Sequence, residues 1–439
     1  MTAKNSPFDT RSLGLRAAEM LDALAACTDE PGCITRLSFG PAHRAAADLV
    51  LGWMAEAGLD AEVTETGTVR GRTQPTASPS PSERTPRRRL LIGSHIDTVP
   101  DAGRFDGMLG VVVGILAAGE LNRGREHLPF DLEVLAFGDE EGLRFSGTSI
   151  GSLSLARALP QELLDDRDDE GSLSEALAGF GLAPRPRLDE LPYDPDELVG
   201  YLEVHIEQGP VLEAMGAPLG VVSSIAAATR LRARVRGDGG HAGTVPMALR
   251  RDALAAAAEL VGAVEKIGLA SADGVVCTVG EFTVGAPAAN SIAGSVEFSI
   301  DLRAPYDDLL SAAQGALVAE LDRIAHRRAV EMEVETEYEG AATICDDDLS
   351  DAFNQALVDL GLPAPRLPSG AGHDAQSLAE ITPVAMLFVR CRAGASHDPA
   401  EYASPEDIGL AVAALVRTLS SLALQTTAAG IAARKETPL

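Results

Sequence analysis

An apolar run, Leu90-Leu91-Ile92, gives way at once to a polar, glycine-punctuated stretch, Gly93-Ser94-His95-Ile96-Asp97-Thr98-Val99-Pro100-Asp101-Ala102-Gly103-Arg104-Phe105-Asp106-Gly107. The apolar run belongs to a predicted buried strand, 89–95, and an apolar helical segment, 107–122, follows the polar stretch. A second apolar strand spans 131–137 and a further helix starts near Ser149. Alternation of this kind predicts an α/β sheet with helices on both faces. In such sheets chemical groups gather beyond the carboxyl ends of the strands. His95 and Glu140 both lie just past a strand end.

At 439 residues the chain is long enough for two domains. Helical spacing is also present at 11–28 and 41–58, where Gly58 stops the pattern. The segment 73–88 is rich in Pro, Ser, Thr and Arg and reads as an exposed loop. Residues 161–198 read as helix and surface loop. A different rhythm runs from 226 to 341: strand 229–236, helix 247–267, strands 274–283 and 293–303, helix 306–327, strand 330–338. That βαββαβ order is ferredoxin-like and predicts an inserted domain. The body then resumes with helix 348–360, strand 384–390 and helix 405–423, and the tail after Thr426 is expected to fray. The expected domains are therefore 1–225 with 342–439, and 226–341.

The net charge of −29 argues against nucleic acid and against an anionic membrane face. No uninterrupted apolar run of membrane-spanning length is present, and the first thirty residues lack the core of a signal peptide. Five cysteines, Cys27, Cys33, Cys277, Cys345 and Cys391, form no C-x-x-C pair, so neither a disulfide framework nor a thiolate zinc site is expected. A cytoplasmic location is the resulting expectation.

His95 and Asp97 are two apart, so in extended chain they face one side, where one can bind a metal while the other orients the ring. Asp106 stands at the entry to an apolar helix; it can bridge two cations or cap the helix. In Gly138-Asp139-Glu140-Glu141-Gly142 adjacent glutamates cannot point the same way, which suits one ligand and one general base, or a solvated acidic turn. His205 lies in a strand-like segment crowded with polar groups that breaks at Gly209-Pro210, and His397 lies in a polar loop after an apolar strand. Of eight histidines, these with His95, His241 and His373 fall in glycine-rich polar turns, while His43, His127 and His326 read as surface residues. Imidazoles and carboxylates together are the ligands of metals that activate water. No G-x-S-x-G elbow or phosphate-binding loop is present.

Taken together, GSHIDTVPDAGRFDG, GDEEGLRFSGTSIGS, EVHIEQGPVLE, GDGGHAGTVPMALRRDA, ANSIAGSVEFSIDLR, SGAGHDAQSLA and VRCRAGASHDPAEY resemble the M20-type metallopeptidase clan, and within it the hydantoinase/carbamoylase amidase branch. The resemblance implies a di-metal exopeptidase-like catalytic domain with an inserted lid and dimerisation domain. It implies two divalent ions (Zn, Mn, Co or Ni) per subunit, one held by His95 and His205, the other by Glu141 and His397, with Asp106 bridging. Glu140 would be the base and Asp97 the partner of His95. Gln208, His241, Asn290, Arg303 and His373 would contact substrate, and His241 would reach across a homodimer interface. The implied reaction is hydrolysis of a ureido C–N bond in a small carboxylate-bearing substrate, with allantoate first. N-carbamoyl-L-amino acids, β-ureidopropionate and peptides are the alternatives, and a non-catalytic metal-binding protein is the reading of a different class. Ala293, Asp398 and Thr229 depart from the patterns common in the branch and bear on substrate identity, not on the metal ligands.

Overall fold

The computed structural model describes residues 9–73, 87–124, 128–189, 192–271 and 274–436. The chain divides into two compact units. Met1–Ser223, Cys345–Leu367 and His373–Leu439 form the first, and Ser224–Ile344 with Pro368–Gly372 form the second.

The first unit is built on a mixed sheet. Its strands run Leu59–Val63, Val69–Thr73, Asp131–Phe137, Arg89–His95, Leu198–Ile206, Val384–Val389, Leu219–Ile225. The four strands from Asp131–Phe137 to Val384–Val389 are mutually parallel. The flanking strands pair antiparallel. Strands buried on both faces read as continuous apolar runs, and all six residues of Val384–Val389 are buried. Helix Met108–Gly124 is apolar nearly all round and lies against the parallel strands. It approaches so closely that a Cβ at Gly110 would overlap the Val204 carbonyl. Thr10–Ala25, Pro41–Glu56, Asp347–Asp359 and Pro405–Glu436 complete the covering layers.

The second unit orders its antiparallel strands Phe282–Val284, Ser295–Ala304, Ala227–Arg236, Glu331–Gly340. Val276–Thr278 also pairs with Ser295–Ala304. Helices Ala253–Ala270 and Asp307–Arg328 pack on the sheet around their own apolar cluster.

Several local expectations need correction. The helix expected at 247–267 starts at Ala253, because the Asp252 side chain accepts from the Ala255 N–H and sets its N-terminus. The strand expected at 274–283 breaks in two around Gly280. The tail expected to fray after Thr426 stays helical to Glu436, in keeping with the alanines at 428, 429, 432 and 433. Pro405–Gln425 is long and apolar enough to cross a membrane by length and composition, yet most of it is buried within the first unit. His43 is fully buried, not superficial: its Nδ1 accepts from the Phe39 N–H at 2.8 Å and its ring packs beside Phe180. His326 is exposed, and His127 and most of the 73–88 loop lie outside the described residues.

Candidate active site

The parallel strands of the first unit deliver their chemistry at one end. His95 closes Arg89–His95, Glu140 and Glu141 follow Asp131–Phe137, His205 and Gln208 stand at the end of Leu198–Ile206, and His397 follows Val384–Val389. Asp106 sits just ahead of Met108–Gly124, and Gly107 then turns the chain into that helix at φ +70°. A Cβ at Gly107 would overlap the His95 ring, so glycine is needed there for both conformation and space.

Asp106 is the hub. Its Oδ1 lies 3.2 Å from His205 Nε2 and 3.7 Å from His95 Nε2. Its Oδ2 lies 3.2 Å from His397 Nε2. Glu141 Oε1 is 3.8 Å from His397 Nε2, and Glu140 Oε2 is 3.9 Å from His95 Nε2. Their ligand atoms fall into overlapping groups close enough to hold metal ions: His95, Asp106 and His205; Asp106, Glu141 and His397; His95, Glu140 and Glu141. A further group, Glu203, His205 and His373, shares His205.

The donor set fits a cation. His95 Nδ1 is 3.1 Å from the Asp97 carbonyl and His205 Nδ1 is 2.9 Å from the Ile206 carbonyl. A carbonyl only accepts, so each Nδ1 carries a hydrogen, and each ring can offer its Nε2 lone pair to a metal. Those lone pairs face a carboxylate oxygen, an arrangement that calls for positive charge between them. The electrostatics agree. Burial pushes Glu140 well above the usual carboxylate range and Glu141 to about 7. Asp106 raises the His397 ring. Burial works against charge on His95, but Asp106 and Asp97 outweigh it and hold the ring well above its ordinary value. Burial also works against ionised Asp106, and the His205, His397 and His95 rings more than reverse that. The raised imidazoles report the carboxylates beside them and the raised glutamates report burial, and a cation would relieve both.

Asp97 organises the turn that carries the two glutamates. Its Oδ1 accepts from the Glu140 N–H and its Oδ2 from the Glu141 N–H, each at 3.2 Å. Asp139, Gln208 and His397 have φ of +70°, +57° and +54°, strain that persists where surroundings over-determine it.

The model of the peptidase family M20/M25/M40 matches residues 91–421. The chain belongs to this family. Among its M20 relatives, allantoate deiminase 1 of Glycine max is 40% identical over 437 residues, covering 92% of this chain and 89% of that protein. An N-carbamoyl-L-amino acid amidohydrolase of Geobacillus stearothermophilus is 39% identical over 393 residues, covering 89% and 94%. A solved hydantoinase/carbamoylase family amidase from Burkholderia multivorans superposes with a TM-score of 0.85 at 32% identity, covering 93% and 97%. An M20 chain with these relatives is a hydrolase of carbon–nitrogen bonds.

The other expected site residues are placed as follows. Gln208 Nε2 donates to Asp106 Oδ2 at 3.0 Å. His373 is buried edge-on to the His205 ring, centroids 4.5 Å apart; burial and the His205 ring lower its pKa well below the ordinary value. In the second unit His241 and Asn290 share one ribbon, where the Ala242 N–H donates to the Asn290 carbonyl and Ser291 pairs with His241. Arg303 is engaged by its own strand: Nε and Nη2 bond the Asp301 carboxylate at 2.8 and 3.1 Å, and Nη1 donates to the Gly370 carbonyl.

Three residues of this M20 site escaped the sequence reasoning. Glu203 accepts from Ser94 Oγ and from the Ala375 N–H, each at 3.0 Å, and burial raises it to about 8. Ser396 Oγ donates to Asp106 Oδ2 at 3.0 Å. Glu401 accepts from the backbone before Asp106. Ser396 and Glu401 stood inside the quoted His397 motif, and a polar residue flanking a ligand was the available signal. Glu203 alternates with His205 along one strand, which is the signal for a shared face.

Proposed function

We propose that this chain is a binuclear metal-dependent amidohydrolase that converts allantoate to ureidoglycine, ammonia and carbon dioxide. Support for the chemistry comes from one observation: the two oxygens of buried Asp106 face different histidines, Oδ1 toward His95 and His205, Oδ2 toward His397. Support for the substrate comes from the 40% identity to the Glycine max allantoate deiminase. In this reading His95 and His205 hold one divalent cation, Glu141 and His397 a second, and Asp106 bridges. Zn, Mn, Co and Ni all suit mixed imidazole and carboxylate donors. Such a pair, when bound, lowers the pKa of water and polarises a carbonyl.

The chain's own groups do the rest. Glu140 accepts the water proton at a side-chain oxygen and passes it to the departing nitrogen, a task its burial-raised affinity for protons suits. Asp97 keeps that glutamate aimed through the N–H it receives. Arg303 recognises the substrate carboxylate by exchanging its bonds to Asp301 for paired bonds to the ligand, with His241 and Asn290 of the same unit; Gln208 and His373 are the substrate contacts proposed in the first unit. The carbamate formed as ammonia leaves then loses carbon dioxide. The second unit carries the homodimer contact, and the enzyme works in the cytoplasm.

The Geobacillus relative favours N-carbamoyl-L-amino acids as the second reading. The test is ammonia release by the purified chain, supplied with each of the four metals, from allantoate and from N-carbamoyl-L-amino acids, with a dipeptide assayed for cleavage. Release from allantoate is expected. Release from N-carbamoyl amino acids alone supports the second reading, and dipeptide cleavage alone refutes both.

A further inference from the structure

Glu401 has no role in the reaction described above, yet its carboxylate is tied to Asp106 by two routes. Its Oε1 accepts from two successive backbone groups, the Phe105 N–H at 2.7 Å and the Asp106 N–H at 3.0 Å. Its Oε2 is 3.5 Å from Ser396 Oγ, which donates to Asp106 Oδ2 at 3.0 Å. Gln208 Nε2 joins the same network, 3.1 Å from Ser396 Oγ. The side chain is buried, and the chain passes so near at Gly103 that a Cβ there would overlap it. Successive N–H groups converging on one carboxylate oxygen make charge-assisted bonds that fix the peptide's orientation.

The contrast with the other ligands gives this contact its meaning. His95 and His205 are held within parallel strands, and their Nδ1 atoms bond carbonyls within two residues of themselves. Their placement does not depend on Glu401. His397 stands on a loop with φ +54° and a half-exposed side chain. Glu401 follows it four residues later and fastens that loop to the Asp106 backbone.

We propose that Glu401 is a positioning residue that fastens the His397 loop to the Asp106 backbone, and thereby governs occupancy of the cation position formed by Asp106, Glu141 and His397 more than the one formed by His95, His205 and Asp106. The inference rests on the two-cation reading. The chemistry needs an acceptor oxygen at this reach more than it needs the charge. Glutamine keeps that oxygen and presents an amide N–H to Ser396; alanine removes the oxygen, and aspartate withdraws it by one methylene.

The test is the number of manganese(II) ions bound by the full chain, measured by equilibrium dialysis over a range of free manganese with melting temperature followed in parallel. Wild type is expected to bind two. Glu401→Gln is expected to bind two with nearly unchanged affinities. Glu401→Ala and Glu401→Asp are expected to keep one ion near its wild-type affinity and to weaken the other by about 10- to 100-fold, the cost usual for lost support of a ligand. Two ions bound with wild-type affinity by Glu401→Ala or Glu401→Asp overturn the proposal, as does equal weakening of both ions. Failure of Glu401→Gln to restore the weaker ion also overturns it. Should Glu401→Ala not fold, Glu401→Asp takes its place and the same outcomes decide. Fewer than two ions on wild type refutes the two-cation reading itself, and the proposal falls with it.

Discussion

Asp97 does more with one carboxylate than its spacing from His95 suggests. It lies 3.6 Å from His95 Nδ1 and receives the N–H groups of both Glu140 and Glu141. Asp97→Ala is therefore expected to weaken metal binding by about 10- to 100-fold while the sheet survives; metal titration with circular dichroism checks this, and unaltered affinity would contradict it. The His95 pairing was legible because the two residues stand two apart, His95 closing a strand and Asp97 just beyond it. The bonds to residues 140 and 141 were not, because only the fold brings those segments together. His43 shows the opposite failure. It sits in a helix with small and polar neighbours and reads as superficial, yet burial lowers its pKa to about 4. An unfolded histidine titrates near 6.5. The unfolded chain therefore binds the proton first as pH falls, so His43 supports stability above about pH 6.5 and loses that support toward pH 4. Urea unfolding of His43→Asn should show a pH dependence shallower by up to about 3 kcal/mol across that window. Parallel curves for variant and wild type would contradict it.

At the scale of elements, the site exists because parallel strands end together. Arg89–His95 and Asp131–Phe137 are paired in register from Arg89 with Asp131 to His95 with Phe137, and both were legible in the sequence to the residue. Leu198–Ile206 was legible only as a strand-like stretch at His205, since buried Glu203 and His205 interrupt its apolar pattern. Polar residues in a strand's interior break the periodic signal because they serve the site rather than the core. The short hairpin Leu59–Val63 with Val69–Thr73 was also missed, although Leu59-Asp60-Ala61-Glu62-Val63 alternates apolar and polar residues as a half-buried strand does. Gly107 links element and site. Gly107→Ala is expected to cost about 1–3 kcal/mol through its positive φ and to push the His95 ring from its place. Thermal melting and metal titration of this variant should both fall; wild-type values in both would contradict the account of that turn.

Across the whole molecule, the order of elements carried more information than their boundaries. The βαββαβ succession was legible, and the second unit shows it with strands Ala227–Arg236, Val276–Thr278 and Phe282–Val284, Ser295–Ala304 and Glu331–Gly340. The five residues Pro368–Gly372, grouped with that unit, were not legible, because so short a segment has no period to read. Arg303 was picked out as a carboxylate clamp, and the structure adds that Asp301 already grips its guanidinium. A ligand carboxylate must compete with or join that pair, which makes substrate identity a matter for assay. The chemistry of the first unit depends on fewer assumptions. In the proposed reaction its centre is Glu140, which lies beside imidazoles and carboxylates drawn from four strand ends. The most direct measurement is the rate of ammonia release from allantoate by Glu140→Gln and by wild type at equal metal content. The account predicts a rate lower by about 10²- to 10⁴-fold with the metal content preserved. Turnover by Glu140→Gln at the wild-type rate would contradict it.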